Sequence, residues 1–322
     1  MPNWITIKDF ARLWEKIGEI GLLRLLRRFV LPGSKRVQEQ WADERTSVRS
    51  WWELEAVHRR WNLLITGNAE KTPFKYVAEG IFAGRSGLKA VSLGCGTGSR
   101  ELEWVKTGIF DRIDGYDISP GRIRFAKQNA ANDSRLHFHC ADITKISKVE
   151  DSVDVIIAEG ILHHLRDLNG ILPVFKKWLK KDGILIVNEY IGPRRFQWTP
   201  CQQSEVMKLL AETPDNYRRL RNGKRKISED PPGILPMILN DPSEAAESDL
   251  LYEALKRNFR ILEERPFGGT LLQPYFKDIV HNFLEPTPET ESLLRVIFDR
   301  EDALLASGTL RHDFIYIIAS KS

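Results

Sequence analysis

A chain of 322 residues is long enough for one large domain, or for one domain with substantial additions. Its hydrophobic fraction of 42% and charged fraction of 29% are ordinary for a globular protein, and no stretch approaches the roughly 18 apolar residues of a membrane span. Three cysteines without a close pair argue against a disulfide framework and a structural zinc site, and favour a reducing cytoplasm. The net charge of +4 belongs to residues 1–40, so a general nucleic-acid binder is not expected.

Residues 1–85 are predicted to form an N-terminal helical extension or cap. Pro32 and Gly33 are expected to close the first helix, because proline cannot extend it and glycine suits a chain reversal. This helix has an apolar stripe that ends in basic residues. It is expected to pack on the domain or on a second subunit, and the alternative is a peripheral contact with the inner membrane face. The predicted amphipathic helical runs are 5–30, 51–64 and 73–83.

From residue 88 onward, short apolar strands alternate with helices. This alternation predicts an α/β domain over residues 86–322, with a parallel sheet and helices on both faces. Two insertions are expected, at about 191–245 and 266–310. The predicted strands are 88–93, 113–116, 136–139, 153–158, 184–187, 259–262 and 314–319. The predicted helices are 98–107, 119–130, 169–180, 202–211 and 244–258, with further apolar helical runs at 270–284 and 288–305.

A glycine-rich segment, Gly94-Cys95-Gly96-Thr97-Gly98, ends the first predicted strand and opens a helix. Glycines there let the chain turn sharply and let its backbone approach a ligand closely. Asp117 ends the second strand 19 residues beyond Gly98, a spacing at which a carboxylate can accept hydrogen bonds from both ribose hydroxyls. A dinucleotide-binding domain would need a third glycine at position 99, which is Ser99, so an oxidoreductase is disfavoured.

This glycine segment, Asp117, Asp142 and residues 159–165 resemble the class I S-adenosylmethionine-dependent methyltransferases. The resemblance covers about residues 86–190 and resumes in the last two strands, and it implies a seven-stranded Rossmann-like sheet. It also implies that the glycine loop contacts the methionine part of the cofactor, Asp117 the ribose and Asp142 the adenine. The residues expected to bind S-adenosylmethionine, or the product S-adenosylhomocysteine, are Ser92, Gly94, Cys95, Gly96, Gly98, Asp117, Ile118, Asp142, Ile143 and Glu159.

The sequence departs from this family at one position and resembles a subgroup at two others. The family often carries an acid two residues before the first glycine, where this chain has Ser92, so the ammonium contact could run through water. Residues 60–67 and 188–193 resemble a bacterial subgroup associated with polysaccharide gene clusters. The subgroup resemblance favours a sugar or glycan acceptor.

Candidate catalytic groups follow the fourth and fifth strands, where ligands meet the carboxyl edge of an open α/β sheet. His163 is the expected base, since the unperturbed pKa of histidine lies near neutral pH, and His164 is expected to pack or to orient the loop. Consecutive histidines point in different directions, so one of the two is expected to face the methyl group. Packing for both histidines, or a reversal of their roles, stays open. Glu189 would orient the histidine or bind substrate, unless it is a solvated strand end.

The first insertion carries arginines beside Trp198 and Gln197, which suit a polar or anionic ligand such as a sugar or phosphate, unless this segment is an ordinary charged surface loop. Residues 45–67 and 191–245 are expected to roof the active site together, using Trp51, Trp52, Trp61, Trp198 and Arg194. No His/Cys/Asp group has metal-ligand spacing, so no metal is expected. The expected substrate-contacting residues are Trp61, Tyr190, Arg194, Arg195 and Trp198.

The sequence therefore predicts a methyltransferase, with O-methylation of a sugar, a glycan or another polar small molecule as the favoured reaction. One alternative is N- or C-methylation of a small metabolite or a lipid-like ring. The other is an inactive cofactor-binding subunit that serves a partner.

Overall fold

The computed structural model describes residues 4–5, 31–40 and 50–321. The predictions for the apolar stripe of the first helix, for its membrane or subunit contact, and for residues 45–49 of the roof lie outside these residues. Among the described residues, no helix is both long enough and apolar enough to cross a bilayer.

The core is a seven-stranded sheet with the strand order β3-β2-β1-β4-β5-β7-β6. β1 to β5 run parallel, whereas β7 pairs antiparallel with both β5 and β6. The strands are β1 (Leu88–Leu93), β2 (Phe110–Asp117), β3 (Leu136–Cys140), β4 (Val153–Glu159), β5 (Leu179–Tyr190), β6 (Arg260–Pro266) and β7 (Phe314–Ser320). The helices are α1 (Gly33–Gln40), α2 (Glu55–Thr66), α3 (Pro73–Glu79), α4 (Ser99–Lys106), α5 (Pro120–Asn129), α6 (Leu168–Trp178), α7 (Pro200–Glu212), α8 (Ile234–Asn240), α9 (Ser248–Asn258), α10 (Leu272–Phe276) and α11 (Pro288–Ala306).

Alternate residues along each strand feed two separate cores, as a strand period of two requires. Val155 and Ile157 of β4 pack in one core with side chains of α2 to α5. Ile156 and Ala158 pack in the other core with side chains of α6 and α9. The sheet thus has helices on both faces, which confirms the predicted fold class.

One expectation about the chain path is wrong. The sheet is mixed rather than parallel, because the second insertion leaves and returns at the same edge: Gly268 O accepts hydrogen bonds from the backbone N–H groups of Asp313 and Phe314. β7 must therefore run back against its neighbours. Gly33 begins helix α1, and Pro32 O accepts from the N–H groups of Lys35 and Arg36. The preceding helix that Pro32 and Gly33 are expected to close lies outside the described residues.

A third core lies outside the sheet, in a unit that we call the cap, formed by residues 50–57, 200–217 and 271–306. Buried apolar side chains from all three segments pack together, including Trp51, Val206 and Tyr275. Buried Lys226, on the loop after the second segment, donates from Nζ to the backbone oxygens of Pro274, Tyr275 and Lys277 at 2.7–3.0 Å. The inserted segments are thus tied into one body.

Candidate functional site

The loop between β1 and α4 has the backbone geometry that its glycines predict. Gly94, Gly96 and Gly98 all have positive φ angles, of 64°, 55° and 77°. A Cβ atom on Gly94 would lie 2.6 Å from the side chain of Ile161, and one on Gly98 would lie 2.7 Å from the ring of Phe138. Larger residues would therefore both strain the backbone and fill the space over this loop.

Asp117 lies beside this loop at the end of β2 and is buried. Its two carboxylate oxygens accept from the backbone N–H groups of Gly96 at 3.1 Å and Ser119 at 2.8 Å. A carboxylate has about four lone-pair positions, so two backbone donors leave capacity for two hydroxyl groups. The site therefore fits a ribose.

An acid of the following helix, Glu101, lies against Ser92. Ser92 Oγ donates to Glu101 Oε1, and Glu101 is fully buried. Its Oε2 atom has no hydrogen-bond partner in the part of the chain that the structure describes. Burial raises the pKa of Glu101 to about 7, although the hydrogen bond from Ser92 by itself lowers this pKa. A cation or a donor at the loop would satisfy the unpartnered oxygen.

Three other expected cofactor residues lie at the same edge of the sheet. Asp142 caps the short turn Ile143–Lys145, with Oδ1 accepting from the backbone N–H and the hydroxyl of Thr144. Ile143 is buried in the core under this turn, and Ile118 is half-buried after β2. This part of the edge thus combines apolar isoleucine side chains with the partly exposed carboxylate of Asp142.

Glu159 ends β4 as a buried carboxylate, and burial raises its pKa. It accepts from Trp104 Nε1 at 3.3 Å and lies 3.5 Å from Arg100 Nη1. Both partners belong to α4, so the carboxylate joins the end of β4 to the helix that follows the glycine loop.

His163 is held by a buried carboxylate from the neighbouring strand. Glu189, 1% exposed at the end of β5, accepts from His163 Nδ1 at 2.6 Å. Its other oxygen accepts from the backbone N–H groups of Ile161 and Leu162 at 2.6 and 2.5 Å. Burial disfavours the charged ring, but the charge and hydrogen bond of Glu189, together with the charges of Glu244 and Asp241, outweigh it, so the pKa of His163 lies above its ordinary value. Glu189 is thus a buried orienting group rather than a solvated strand end.

His164 lies against His163, with a ring-centroid distance of 4.3 Å. The expectation that consecutive histidines would diverge is wrong, because Leu162–His164 forms a 3-10 turn instead of extending β4. His164 Nδ1 lies 3.0 Å from Ser243 Oγ, which in turn donates to Asp241. Burial and the neighbouring His163 lower the pKa of His164.

Both rings face Glu244, a residue of the first insertion. Its two carboxylate oxygens lie 3.6 Å from His163 Nε2 and 3.9 Å from His164 Nε2. One ligand atom from each of the three residues falls within 4.8 Å of the others, which is close enough to share a metal ion. The expectation of no metal rested on sequence spacing alone, and the fold brings together residues that lie 80 positions apart.

The expected substrate residues at the end of β5 and beyond are mostly engaged by the protein itself. Buried Arg195 donates from its guanidinium to the backbone oxygens of Glu244 and Pro242, both at 2.7 Å, so it holds the loop that carries Glu244. Arg194 pairs with Asp249 at the surface. Tyr190 is buried and donates from its hydroxyl to Pro193 O at 3.0 Å.

The expected aromatic residues meet where residues 50–61 pack against the first insertion. Trp51, Trp52, Phe196, Trp198 and Lys277 line one cavity of about 310 Å³. Trp61 lies behind it, edge-on to the ring of Trp51 at 5.1 Å. The extension and the first insertion therefore share one pocket.

Two functional candidates were missed in the sequence. Glu101 occupies the first turn of α4, where an acid ordinarily favours the helix N-terminus, so only its burial beside Ser92 distinguishes it. Glu244 lies in an insertion of weak periodicity, and no sequence pattern links it to the histidines.

Comparison with known proteins agrees with this geometry. The methyltransferase-domain family model matches residues 85–258, which is more than half of the chain. Phosphoethanolamine N-methyltransferase 1 of Triticum aestivum is 30% identical over 121 residues, which are 37% of this chain and 23% of that protein. The malonyl-[acyl-carrier protein] O-methyltransferase of Bacillus cereus is 32% identical over 110 residues, which are 34% of this chain and 40% of that enzyme. The chain thus covers less than half of the length of these relatives.

Among solved structures, the geranyl diphosphate C-methyltransferase of Streptomyces coelicolor A3(2) is similar to this chain, with 12% identity and a TM-score of 0.46. The similarity covers 91% of this chain and 99% of that one. A methyltransferase from Mesorhizobium loti is 16% identical with a TM-score of 0.44, over 73% of this chain and 91% of that one. On the family match and the site described above, the chain belongs to the methyltransferase-domain family, with the class I architecture and S-adenosylmethionine as its cofactor.

Proposed function

We propose that this protein transfers the methyl group of S-adenosylmethionine to a hydroxyl group of a polar small molecule, such as a sugar or glycan. The observation that carries this proposal is the pair His163 and Glu189 at the carboxyl edge of β4 and β5. The names of the relatives span phosphoethanolamine N-methylation and malonyl-[acyl-carrier protein] O-methylation. These names differ in the acceptor atom, so the choice of oxygen rests on the pair His163 and Glu189.

The cofactor would be held by groups that this chain places around the glycine loop. Asp117 would accept hydrogen bonds from the ribose, and Asp142 would face the adenine. Glu101 would hold the ammonium group of the methionine part with its unpartnered oxygen. Bound there, the cofactor supplies a methyl group activated by positively charged sulfur.

An acceptor hydroxyl must lose a proton as it attacks the methyl carbon, and on this proposal His163 receives it. Its Nδ1–H donates to Glu189, which leaves Nε2 as the atom that accepts the proton. The new bond joins the acceptor oxygen to the methyl carbon, the sulfur–methyl bond breaks, and its electron pair stays with sulfur. Glu189 and Glu244 both face the resulting imidazolium and stabilise its charge. A neutral amine acceptor would have less need of such a base.

The aromatic cavity supports a sugar as the acceptor. Phe196 lines the cavity and lies 4.8 Å from the ring of Tyr190, which lies 6.4 Å from His163. Aromatic walls with a few polar groups are the usual lining of a small-molecule site. The resemblance to the polysaccharide-cluster subgroup favours the same class. On this proposal, residues 45–67 and 191–245 roof the acceptor. The predicted first helix packs on the domain or on a second subunit, or contacts a membrane that carries a lipid-linked glycan.

The test is methyl transfer by the purified full-length protein to a panel of nucleotide sugars and oligosaccharides, with mass spectrometry for a methyl gain and for S-adenosylhomocysteine. His163→Ala should lower turnover by roughly 100-fold while S-adenosylhomocysteine affinity stays within about twofold. His281→Ala, a histidine of the cap, is the matched control. A larger loss in His164→Ala would transfer the role of base to His164. Equal, small losses in both variants would refute base catalysis by either histidine.

A further inference from the structure

Each histidine of the pair has its Nδ1 atom engaged by a second group. His163 Nδ1 contacts the buried carboxylate of Glu189. His164 Nδ1 contacts Ser243 Oγ, and the hydroxyl of Ser243 donates its own hydrogen bond to Asp241. A histidine whose Nδ1–H donates in this way presents Nε2 as the ligand atom. An Nδ1 partner of this kind is the usual support of a metal-binding imidazole.

The Nε2 atoms face the two oxygens of one carboxylate, Glu244, at 3.6 and 3.9 Å. Both separations exceed a hydrogen bond. In a tetrahedral zinc site with bonds of about 2.0–2.1 Å, neighbouring ligand atoms lie about 3.3 Å apart. One ligand atom from each of the three residues lies within 4.8 Å of the others, so side-chain rotations that move these atoms by up to about 1.5 Å would bring them to that spacing.

The carboxylate ligand is held in place by the fold. Arg195 binds the backbone oxygens of Glu244 and Pro242, and Arg166 donates to Pro242 O at 2.6 Å. The side chains of His163, His164 and Glu244 are 12%, 14% and 21% exposed, so an ion can reach them from solvent. The backbone that carries Glu244 is thus fixed by two arginines, while the three side chains stay partly accessible to solvent.

We infer that His163 Nε2, His164 Nε2 and the Glu244 carboxylate form a site for a zinc-class divalent metal ion. Two imidazoles and one carboxylate suit zinc or cobalt, whereas Mg²⁺ prefers oxygen ligands. Three protein ligands leave a fourth position for water or an acceptor oxygen. The ligands come from the loop after β4 and from the first insertion, so the site forms only when the insertion is folded against the sheet.

This inference goes beyond the proposed function and does not rest on it. A metal ion on His163 Nε2 occupies the electron pair with which that atom would accept a proton. Bound metal and proton acceptance by His163 therefore exclude one another. We expect added Zn²⁺ to inhibit methyl transfer and a chelator to leave turnover unchanged or raise it.

The test is calorimetric titration of the tag-free, full-length protein with ZnCl₂. Cys140 and Cys201 are free and exposed, and thiolates are zinc ligands, so the titration uses the double variant Cys140→Ser/Cys201→Ser as the parent. One equivalent of Zn²⁺ should bind. Binding should weaken at least ~10-fold in His164→Ala and in Glu244→Gln, since loss of even an outer partner of a metal ligand costs about 10–100-fold. His281→Ala should bind zinc as its parent does.

Visible absorption of added Co²⁺ gives a second readout that does not depend on activity. Intense bands should appear in the parent and be lost in Glu244→Gln, a variant that keeps the side-chain shape and whose folding is checked by its melting temperature. Absent bands, or zinc affinity that is equal in the parent, His164→Ala and Glu244→Gln, would overturn the metal site. If chelation abolished turnover and Zn²⁺ restored it, the metal site would stand and the proposed base role of His163 would fall.

Discussion

Replacing Glu101 with glutamine tests two effects of this carboxylate: its contribution to cofactor affinity, and the free energy of unfolding that the protein loses by burying its charge. Glu101 is buried, accepts from Ser92 and has one oxygen without a partner within the described residues. If this carboxylate holds the ammonium group of the cofactor, Glu101→Gln replaces the ion pair with that group by a weaker hydrogen bond to a neutral amide. A hydrogen bond to a charged group contributes about 1.5–3 kcal/mol, which corresponds to about 10–150-fold in affinity.

The same substitution should stabilise the protein without ligand at alkaline pH. Burial raises the pKa of Glu101 from its ordinary 4.5 to about 7, so the folded protein binds this proton more tightly than the unfolded chain. The free energy of unfolding therefore falls as the pH rises from 4.5 to about 7, by up to ~1.4 kcal/mol per pH unit. Glutamine carries no such charge, and the variant should melt at a higher temperature than the parent at about pH 8.

The assay is calorimetric binding of S-adenosylhomocysteine, with melting temperatures measured in parallel. The affinity of the parent should rise between about pH 6 and about pH 7.5 as Glu101 ionises, since the α-amino group of S-adenosylhomocysteine stays charged over this range. The variant should lose this rise. Glu103→Gln, an exposed position on the same helix, is the matched control. Unchanged affinity in Glu101→Gln would refute the ammonium contact, and an unchanged melting temperature would refute the cost of burial.

Three further predictions follow from buried carboxylates. Asp117→Ala should weaken S-adenosylhomocysteine binding by roughly 10-fold or more, and calorimetry should detect no NAD binding to the parent; equal affinity in parent and variant would contradict the ribose contact. In Glu189→Gln, the NH₂ group of the amide has to face either His163 Nδ1 or the N–H groups of Ile161 and Leu162, which are donors too. The substitution should therefore lower both the melting temperature and turnover, the latter by roughly 100-fold; unchanged kinetics would show that the Glu189 contact with His163 does not matter. Burial raises the pKa of Asp313 from 3.8 to about 8, so the parent should lose stability relative to Asp313→Asn as the pH rises between these values, and parallel melting curves at both ends would contradict this.

The sheet was largely predictable, because its strands are apolar runs between glycines and polar turns. β1 was predicted at the bounds that the structure has, residues 88–93. β5 was predicted too short because its first residues include Lys180, Lys181 and Asp182, whose polarity resembles a turn, although they extend the strand. The antiparallel course of β7 depends on where the second insertion returns to the sheet, and no local pattern carries that information.

Side chains that follow a strand along the chain were the predictable part of the candidate site. Asp117, His163 and Glu189 all end or follow a core strand, so the sheet topology brings them to one edge. Glu101 and Glu244 could not be found in this way. The first matters only because it is buried against Ser92, and the second reaches the histidines only through the folded insertion.

The common core of the cap has a consequence for how acceptor preference can change. Its apolar side chains come from residues 51–57, 206–217 and 271–297, which lie far apart in the chain. Buried Lys226, which follows the second of these segments in the chain, binds three backbone oxygens of the third. A single inserted segment exchanged from another protein would arrive without its packing partners and would expose apolar surface. New specificity is therefore expected to arise through small substitutions at the cavity wall, or through replacement of all three segments together.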